Sequence, residues 1–212
     1  MSIKMLILDQ DGTLYSNQEE LFLYTRKTTK MWLAKKLNKS SDEIERIYAI
    51  LPSKYPNPYL GFISLGCTPD EYMTEVFDKI KPSNFINFNP KIYNYFKKSS
   101  VLKVLVTLAS PRYTNELQSK LKLKDFYAEI LYVKDFKSYN KGDCYRKIAK
   151  DFNLDFAEIC VIGDSYINDI LPAQELGCKV ILISSKAINS NIKTVESIEK
   201  FIENGGIEKY CE

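Results

Sequence analysis

The sequence has no histidine. That absence removes the Ser-His-Asp triad, the Cys-His nucleophile pair and any zinc site with an imidazole ligand. Acid–base chemistry in this chain therefore falls to carboxylates, lysine, tyrosine or cysteine. Cysteine is sparse and scattered: Cys67, Cys144, Cys160, Cys178 and Cys211 are an odd number with no C-x-x-C pair. Such a set fits a reduced cytosolic protein better than a disulfide framework. No apolar run reaches the roughly 18 residues that a bilayer requires. The apolar start, residues 1–8, is too short for a signal peptide. An excess of either charge is missing as well. The 30 Lys and Arg against 27 Asp and Glu leave a net charge of +3, too little to argue for nucleic acid. These absences point to a soluble cytoplasmic protein with neither a membrane nor a nucleic acid as partner.

What is present is ordinary globular material. The 212 residues are 45% hydrophobic and 27% charged, enough for one domain, or one with a sizeable insertion. Residues 4–8 form a continuous apolar run, as a strand buried on both faces does, and Asp9-Gln10-Asp11-Gly12-Thr13 follows at once. Similar runs lie at 102–107, 158–163 and 179–183, with a weaker one at 128–133. Helical signals separate them. Ser110-Pro111 starts one helix, 141–152 has helical spacing, and 168–176 ends at Gly177. A last helix is expected around 194–203. Alternating β and α after residue 90 predicts an α/β fold with a parallel, Rossmann-like sheet.

Residues 15–89 read differently. A long helix is expected over 18–37. Ser40-Ser41-Asp42-Glu43 and Thr68-Pro69-Asp70-Glu71 are capping boxes for two more. The stretch 52–66, rich in Pro, Gly and Tyr, reads as a long loop. The organisation is thus an α/β core, 1–14 and 90–212, with an all-helical insertion, 15–89, after the first strand. Phe22, Tyr24, Trp32 and Tyr48 at helical spacing read as core of the insertion. Tyr55, Tyr59 and Phe62, on the loop, are the better candidates to meet a substrate.

In open α/β sheets ligands sit beyond the carboxyl ends of the strands. Asp9 and Asp11 end the first strand here, Thr107 ends the second, and Asp164 follows the strand 158–163 with Asp169 one turn on. Lys141 opens the preceding helix. Four carboxylates in one cleft stay ionised together only if a cation shares it. All-oxygen ligands without imidazole or thiolate select Mg2+ over zinc. A metal with open positions, a lysine and a hydroxyl suit a phosphate group. An Asp can act as a covalent nucleophile in phosphoryl transfer. A second Asp two residues on points the same way along an extended segment and can protonate a leaving oxygen.

These residues match a family. Asp9-Gln10-Asp11-Gly12-Thr13-Leu14 resembles the first motif of the haloacid dehalogenase-like (HAD) phosphohydrolases. Gly163-Asp164-Ser165-Tyr166-Ile167-Asn168-Asp169 resembles their fourth, in the variant with one extra residue between its two Asp. Thr107 ends a buried strand as the second motif requires, and Lys141 precedes Asp164 by 23 residues, close to the spacing of the third. The helical insertion resembles the family's C1 cap, and the start Thr13-Leu14-Tyr15 looks most like the nucleotidase and phosphoglycolate phosphatase branches.

The resemblance implies that Asp9 attacks phosphorus and that Asp11 is general acid, then general base. It implies Mg2+ held by the Asp9 carboxylate, the Asp11 carbonyl and Asp164, with Asp169 supporting the metal shell. Thr107, the Leu108 amide and Lys141 would hold phosphate oxygens. Leu108 stands where many relatives have Asn. Ser110 competes with Thr107, and Lys137 with Lys141. The expected activity is Mg2+-dependent hydrolysis of a small phosphomonoester, a nucleotide monophosphate or a sugar phosphate, through an aspartyl-phosphate. A phosphomutase or phosphotransferase with the same nucleophile, and a regulatory protein with little turnover, are the alternatives. The presence of Asp11 argues against a dehalogenase.

Overall fold

The computed structural model describes residues 2–15, 18–187 and 190–210. They divide into two compact units: Met1–Ser16, Asn87–Leu108 and Gln118–Glu212 form one, and Asn17–Ile86 with Ala109–Leu117 the other.

The first unit is an α/β structure of Rossmann-like architecture. Its sheet has six parallel strands: β1 (Met5–Leu8), β2 (Leu102–Thr107), β3 (Glu129–Tyr132), β4 (Ile159–Gly163), β5 (Lys179–Ile183) and β6 (Lys193–Val195), in the order β3-β2-β1-β4-β5-β6. The central strands β1 and β4 are buried along their whole length, as continuous apolar runs require when helices cover both faces. The order reverses at β1, which pairs with β2 on one side and β4 on the other. That is the switch point at which such sheets open a crevice.

The five apolar runs all form strands, but β6 has no counterpart among them. It takes residues expected to begin the final helix, and two short helices follow instead, at Ile198–Glu203 and Gly206–Tyr210. Three residues on the sheet edge, one of them a lysine, are too few to make a hydrophobic run, so pairing with β5 decides their state.

The helical unit has no strand among its described residues. It contains α1 (Glu19–Leu37), α2 (Ser41–Lys54), α3 (Pro58–Ile63) and α4 (Pro69–Glu75). Both capping boxes form: Ser40 with Glu43, and Thr68 with Glu71. The stretch 52–66 is not the long loop its composition suggested. Pro52 sits in the last turn of α2, and Asn57 caps α3 by accepting from the Leu60 amide with Pro58 next in line.

Tyr59 and Phe62 are correspondingly buried rather than presented to a ligand. They pack with Trp32 and Tyr72 at ring separations of 4.6 to 6.2 Å. The expectation for Phe22 and Tyr24 is also reversed, since both are exposed. The helical stripe buries Leu21, Thr29, Trp32 and Leu33, and Phe22 and Tyr24 flank it.

Ala109–Leu117 groups with the helical unit although it follows β2 in the chain. It carries the start of a helix at Pro111–Leu121 (α6 once α5, Pro90–Lys98, is counted). Side-chain links explain the grouping: the Ser110 hydroxyl donates to Asp78 at 2.6 Å, Ser83 donates to Glu116 at 2.5 Å, and Tyr113 meets Phe77 edge-on at 5.1 Å.

No helix among the described residues is long and apolar enough to cross a membrane. Cys67, Cys144, Cys160 and Cys178 are buried and unbridged, and Cys211 lies outside the described residues. Burial pushes the Cys144 and Cys178 thiols up to about 12 and raises Cys67 in the same direction, which keeps the reactive thiolate scarce. The Cys211→Ser variant should therefore react with no Ellman's reagent while folded and release four thiols in guanidinium. Rapid reaction of any thiol in the folded variant would contradict this packing.

Candidate active site

The carboxyl ends of β1 and β4 bring the acids of the first unit together. Leu8 of β1 is in register with Ile162 of β4 and Leu105 of β2. One residue on, the Asp9 amide donates to the Ile162 carbonyl at 2.9 Å, so Asp9 and Asp164 leave the sheet side by side. The chain then turns. The Leu14 amide closes on the Gln10 carbonyl at 3.1 Å, and Gly12 takes φ +96°. A Cβ at Gly12 would collide with the Asp164 carboxylate. Gly12 thus supplies a left-handed turn and also leaves the space that Asp164 occupies. Gly163 likewise leaves room for Asp169, whose side chain lies where a Cβ would stand.

The second Asp-bearing turn has its own irregularity. From Tyr166 to Ile170 the chain forms a π turn before helix α8 (Leu171–Glu175), counting Lys141–Asp151 as α7. The Ile170 amide bonds the Ser165 carbonyl five residues back, at 3.3 Å. The turn absorbs the extra residue between Asp164 and Asp169 and keeps Asp169 beside the strand end. Its carboxylate Oδ2 accepts from the Ser165 amide at 2.9 Å, and the Tyr145 hydroxyl donates to its carbonyl at 3.3 Å.

Lys141 links the two turns. Its ammonium donates to Asp9 Oδ1 at 2.5 Å and to Asp169 Oδ1 at 2.6 Å, and all three side chains are buried. Burial opposes the lysine's charge, but the Asp169 and Asp9 carboxylates outweigh it and hold its pKa above the ordinary value. The Thr13 hydroxyl donates to the other Asp9 oxygen at 3.2 Å.

Carboxylate oxygens of Asp9, Asp164 and Asp169 lie within 4.8 Å of one another. Three acids thus face one ammonium. Burial, then the charges of Asp9 and Asp169, push Asp164 up to about 8. Burial, then the Asp9 charge against the opposing Lys141, pushes Asp169 up to about 6. An all-oxygen donor set short of positive charge fits a hard divalent cation.

Not every expected residue joins this cluster. The Asp11 carboxylate is not one of the three; it accepts from the Tyr15 hydroxyl at 2.5 Å and from Gln10 Nε2 at 2.9 Å. Thr107 is buried at the end of β2, with Leu108 half-buried next to it. Of the paired alternatives, Lys141 is in the cluster and Lys137 is exposed. The Ser110 hydroxyl is committed to Asp78 and to the Tyr113 amide. Sequence reasoning missed Gln10, Thr13 and Tyr15 as partners of the two motif acids. Their position within or beside the motif was the available signal.

The sequence profile of the haloacid dehalogenase-like hydrolases matches residues 6–183. The chain belongs to that family. No curated protein matches it in sequence. Among solved structures, this HAD-like hydrolase is similar to a HAD phosphatase from Thermococcus onnurineus, with TM-score 0.66 and 16% identity over 97% of this chain and 99% of that one. It is similar to a putative beta-phosphoglucomutase from Thermotoga maritima, with TM-score 0.61 and 17% identity over 95% and 97%. The L-2-haloacid dehalogenase from Xanthobacter autotrophicus is likewise similar, with TM-score 0.53 and 16% identity over 88% and 79%. At these identities the likeness concerns the fold.

The acids give a signed dependence on pH. An Asp whose folded pKa is raised stabilises the fold below its unfolded value, near 4, and that stability is lost as pH rises through the folded pKa. The metal-free HAD-like hydrolase should thus lose Tm between pH about 4 and about 8. Excess Mg2+ should restore more Tm at the upper end, where its ligands are deprotonated. Gly12→Ala, which displaces Asp164, should abolish the Mg2+ increment. Thermal melts across pH with and without Mg2+ check both, and an increment that shrinks as pH rises would contradict the assignment.

Proposed function

We propose that this HAD-like hydrolase is a cytoplasmic, Mg2+-dependent phosphatase of a small phosphorylated metabolite, a nucleotide monophosphate or a sugar phosphate. The observation that carries this reading is the division of labour between the two motif acids. Asp9 is buried against Lys141 at the strand end, while Asp11, two residues on, is held by a separate pair of donors.

Asp9 is the nucleophile. One of its carboxylate oxygens attacks phosphorus, the ester P–O bond breaks, and the electron pair leaves on the ester oxygen. Asp11 delivers a proton to that oxygen. Ionised by this transfer, Asp11 then takes a proton from water, whose oxygen attacks the aspartyl-phosphate. Inorganic phosphate leaves, and Asp9 regains its carboxylate. Thr107, the Leu108 amide and Lys141 orient the phosphoryl oxygens. Asp9, the Asp11 carbonyl and Asp164 would hold Mg2+, with Asp169 in support. When bound, the ion supplies positive charge against the phosphoryl oxygens. The helical unit, inserted between β1 and β2, serves as the cap and selects the substrate.

The presence of Asp11 favours phosphate esters over haloacids, since a dehalogenation needs no acid for an alkoxide leaving group. A phosphomutase would use the same nucleophile and return the phosphoryl group to substrate instead of water.

With p-nitrophenyl phosphate, Mg2+ should support turnover, EDTA should remove it, and Asp9→Asn should reduce it to background. Inorganic phosphate should appear in step with nitrophenol. Turnover that survives Asp9→Asn would sink the nucleophile assignment, and halide release from 2-haloacids would point to the dehalogenases instead.

A further inference from the structure

Asp11 stands at the end of a polar chain that runs into the interior of the sheet unit. Gln10 is fully buried and donates from Nε2 to Asp11 Oδ2 at 2.9 Å. Its Oε1 accepts from Nε2 of Gln118, also fully buried, at 3.1 Å. Gln118 Oε1 accepts from the Tyr127 hydroxyl at 3.0 Å. On the other side, the buried Tyr15 hydroxyl donates to Asp11 Oδ1 at 2.5 Å.

The direction of this chain is dictated from one end. Both Asp11 oxygens accept, Oδ2 from Gln10 and Oδ1 from Tyr15. Gln10 must therefore turn its NH2 to Asp11, which turns its carbonyl to Gln118. Gln118 must answer with its own NH2, and its carbonyl is left for the phenol. Each side-chain amide is satisfied in one orientation only, and reversing any one would set like dipoles face to face in a buried site. Apolar side chains would pack these positions without such a requirement, so burying two glutamines in series needs a reason. Both oxygens of Asp11 are fixed as a result: Oδ1 by Tyr15 and Oδ2 by the chain.

We propose that Tyr15 and the relay Tyr127–Gln118–Gln10 are positioning residues that hold the Asp11 carboxylate in one orientation for proton transfer to the leaving group. This rests on the phosphatase reading above for the role of Asp11, but the hydrogen bonds can be tested apart from it. Proton delivery matters little when the leaving group is a stable anion and much when it is not. Misplacing Asp11 should hence harm a poor leaving group more than a good one, whereas general damage to the fold or to phosphate binding should harm both equally.

The test compares kcat/KM for phenyl phosphate and p-nitrophenyl phosphate, with Mg2+, in the unmodified protein and in Tyr15→Phe, Gln118→Met and Tyr127→Phe. The ratio of p-nitrophenyl to phenyl phosphate turnover should rise about tenfold in Tyr15→Phe and Gln118→Met, and by less in Tyr127→Phe, which leaves the Gln118 donor in place. A one-proton resonance downfield of the amide envelope should mark the Tyr15–Asp11 bond and vanish in Tyr15→Phe and in Asp11→Asn. An unchanged ratio in both Tyr15→Phe and Gln118→Met would overturn the positioning role. A resonance absent from the unmodified protein, or retained in Tyr15→Phe, would overturn the Tyr15 bond. If the unmodified protein hydrolyses neither ester, the phosphatase reading fails and the proton-transfer role with it, while the resonance still decides whether Tyr15 holds Asp11.

Discussion

One buried ammonium makes the rest of the site possible. Lys141 lies between Asp9 and Asp169, within hydrogen-bond distance of both, and all three are buried. Three acids crowded at the end of a parallel sheet would otherwise repel one another in a medium that screens them poorly. Stripping one partner from a buried charge pair costs about 3–5 kcal/mol, a large share of the total stability of an ordinary domain. The lysine is therefore as much part of the fold as of the site. It ties the turn after β1 to the turn after β4 from the first residue of α7, where a side chain reaches both.

The sheet supplies the geometry that the lysine holds. Parallel strands in register deliver their C-terminal residues to one edge, and the reversal of order at β1 puts β4 directly beside it. Close approach of the two turns is then a question of volume. It is met by omitting side chains at Gly12 and Gly163 and by the π turn, which takes up one residue without moving Asp169 from the strand end.

Much of this was legible in the residues. The five apolar runs became strands because a strand covered on both faces has little choice of composition. Both capping boxes formed because they are local and reciprocal. Proximity of Asp9 and Asp164 followed from strand ends, that of Lys141 from a helix start and its spacing to Asp164, and that of Asp169 from its place one turn on. What was not legible depends on partners distant in the chain. β6 is a strand only because β5 offers an edge. The stretch 52–66 turned helical because Asn57 and Pro58 provide a start that its glycines and prolines disguised. Phe22 and Tyr24 show that aromatic character does not say which side of a helix is buried. Gln10 meets Gln118 across more than a hundred residues, and no local pattern marks such a pair.

The glycine at position 12 has a consequence for how this chain can vary. Its missing side chain is the space into which the Asp164 carboxylate fits, so the loop after the first strand and the loop after the fourth share one volume. A side chain placed at position 12 would evict an acid encoded far downstream. The two motifs are separate in sequence but form a single packing unit, to be transplanted or inherited together.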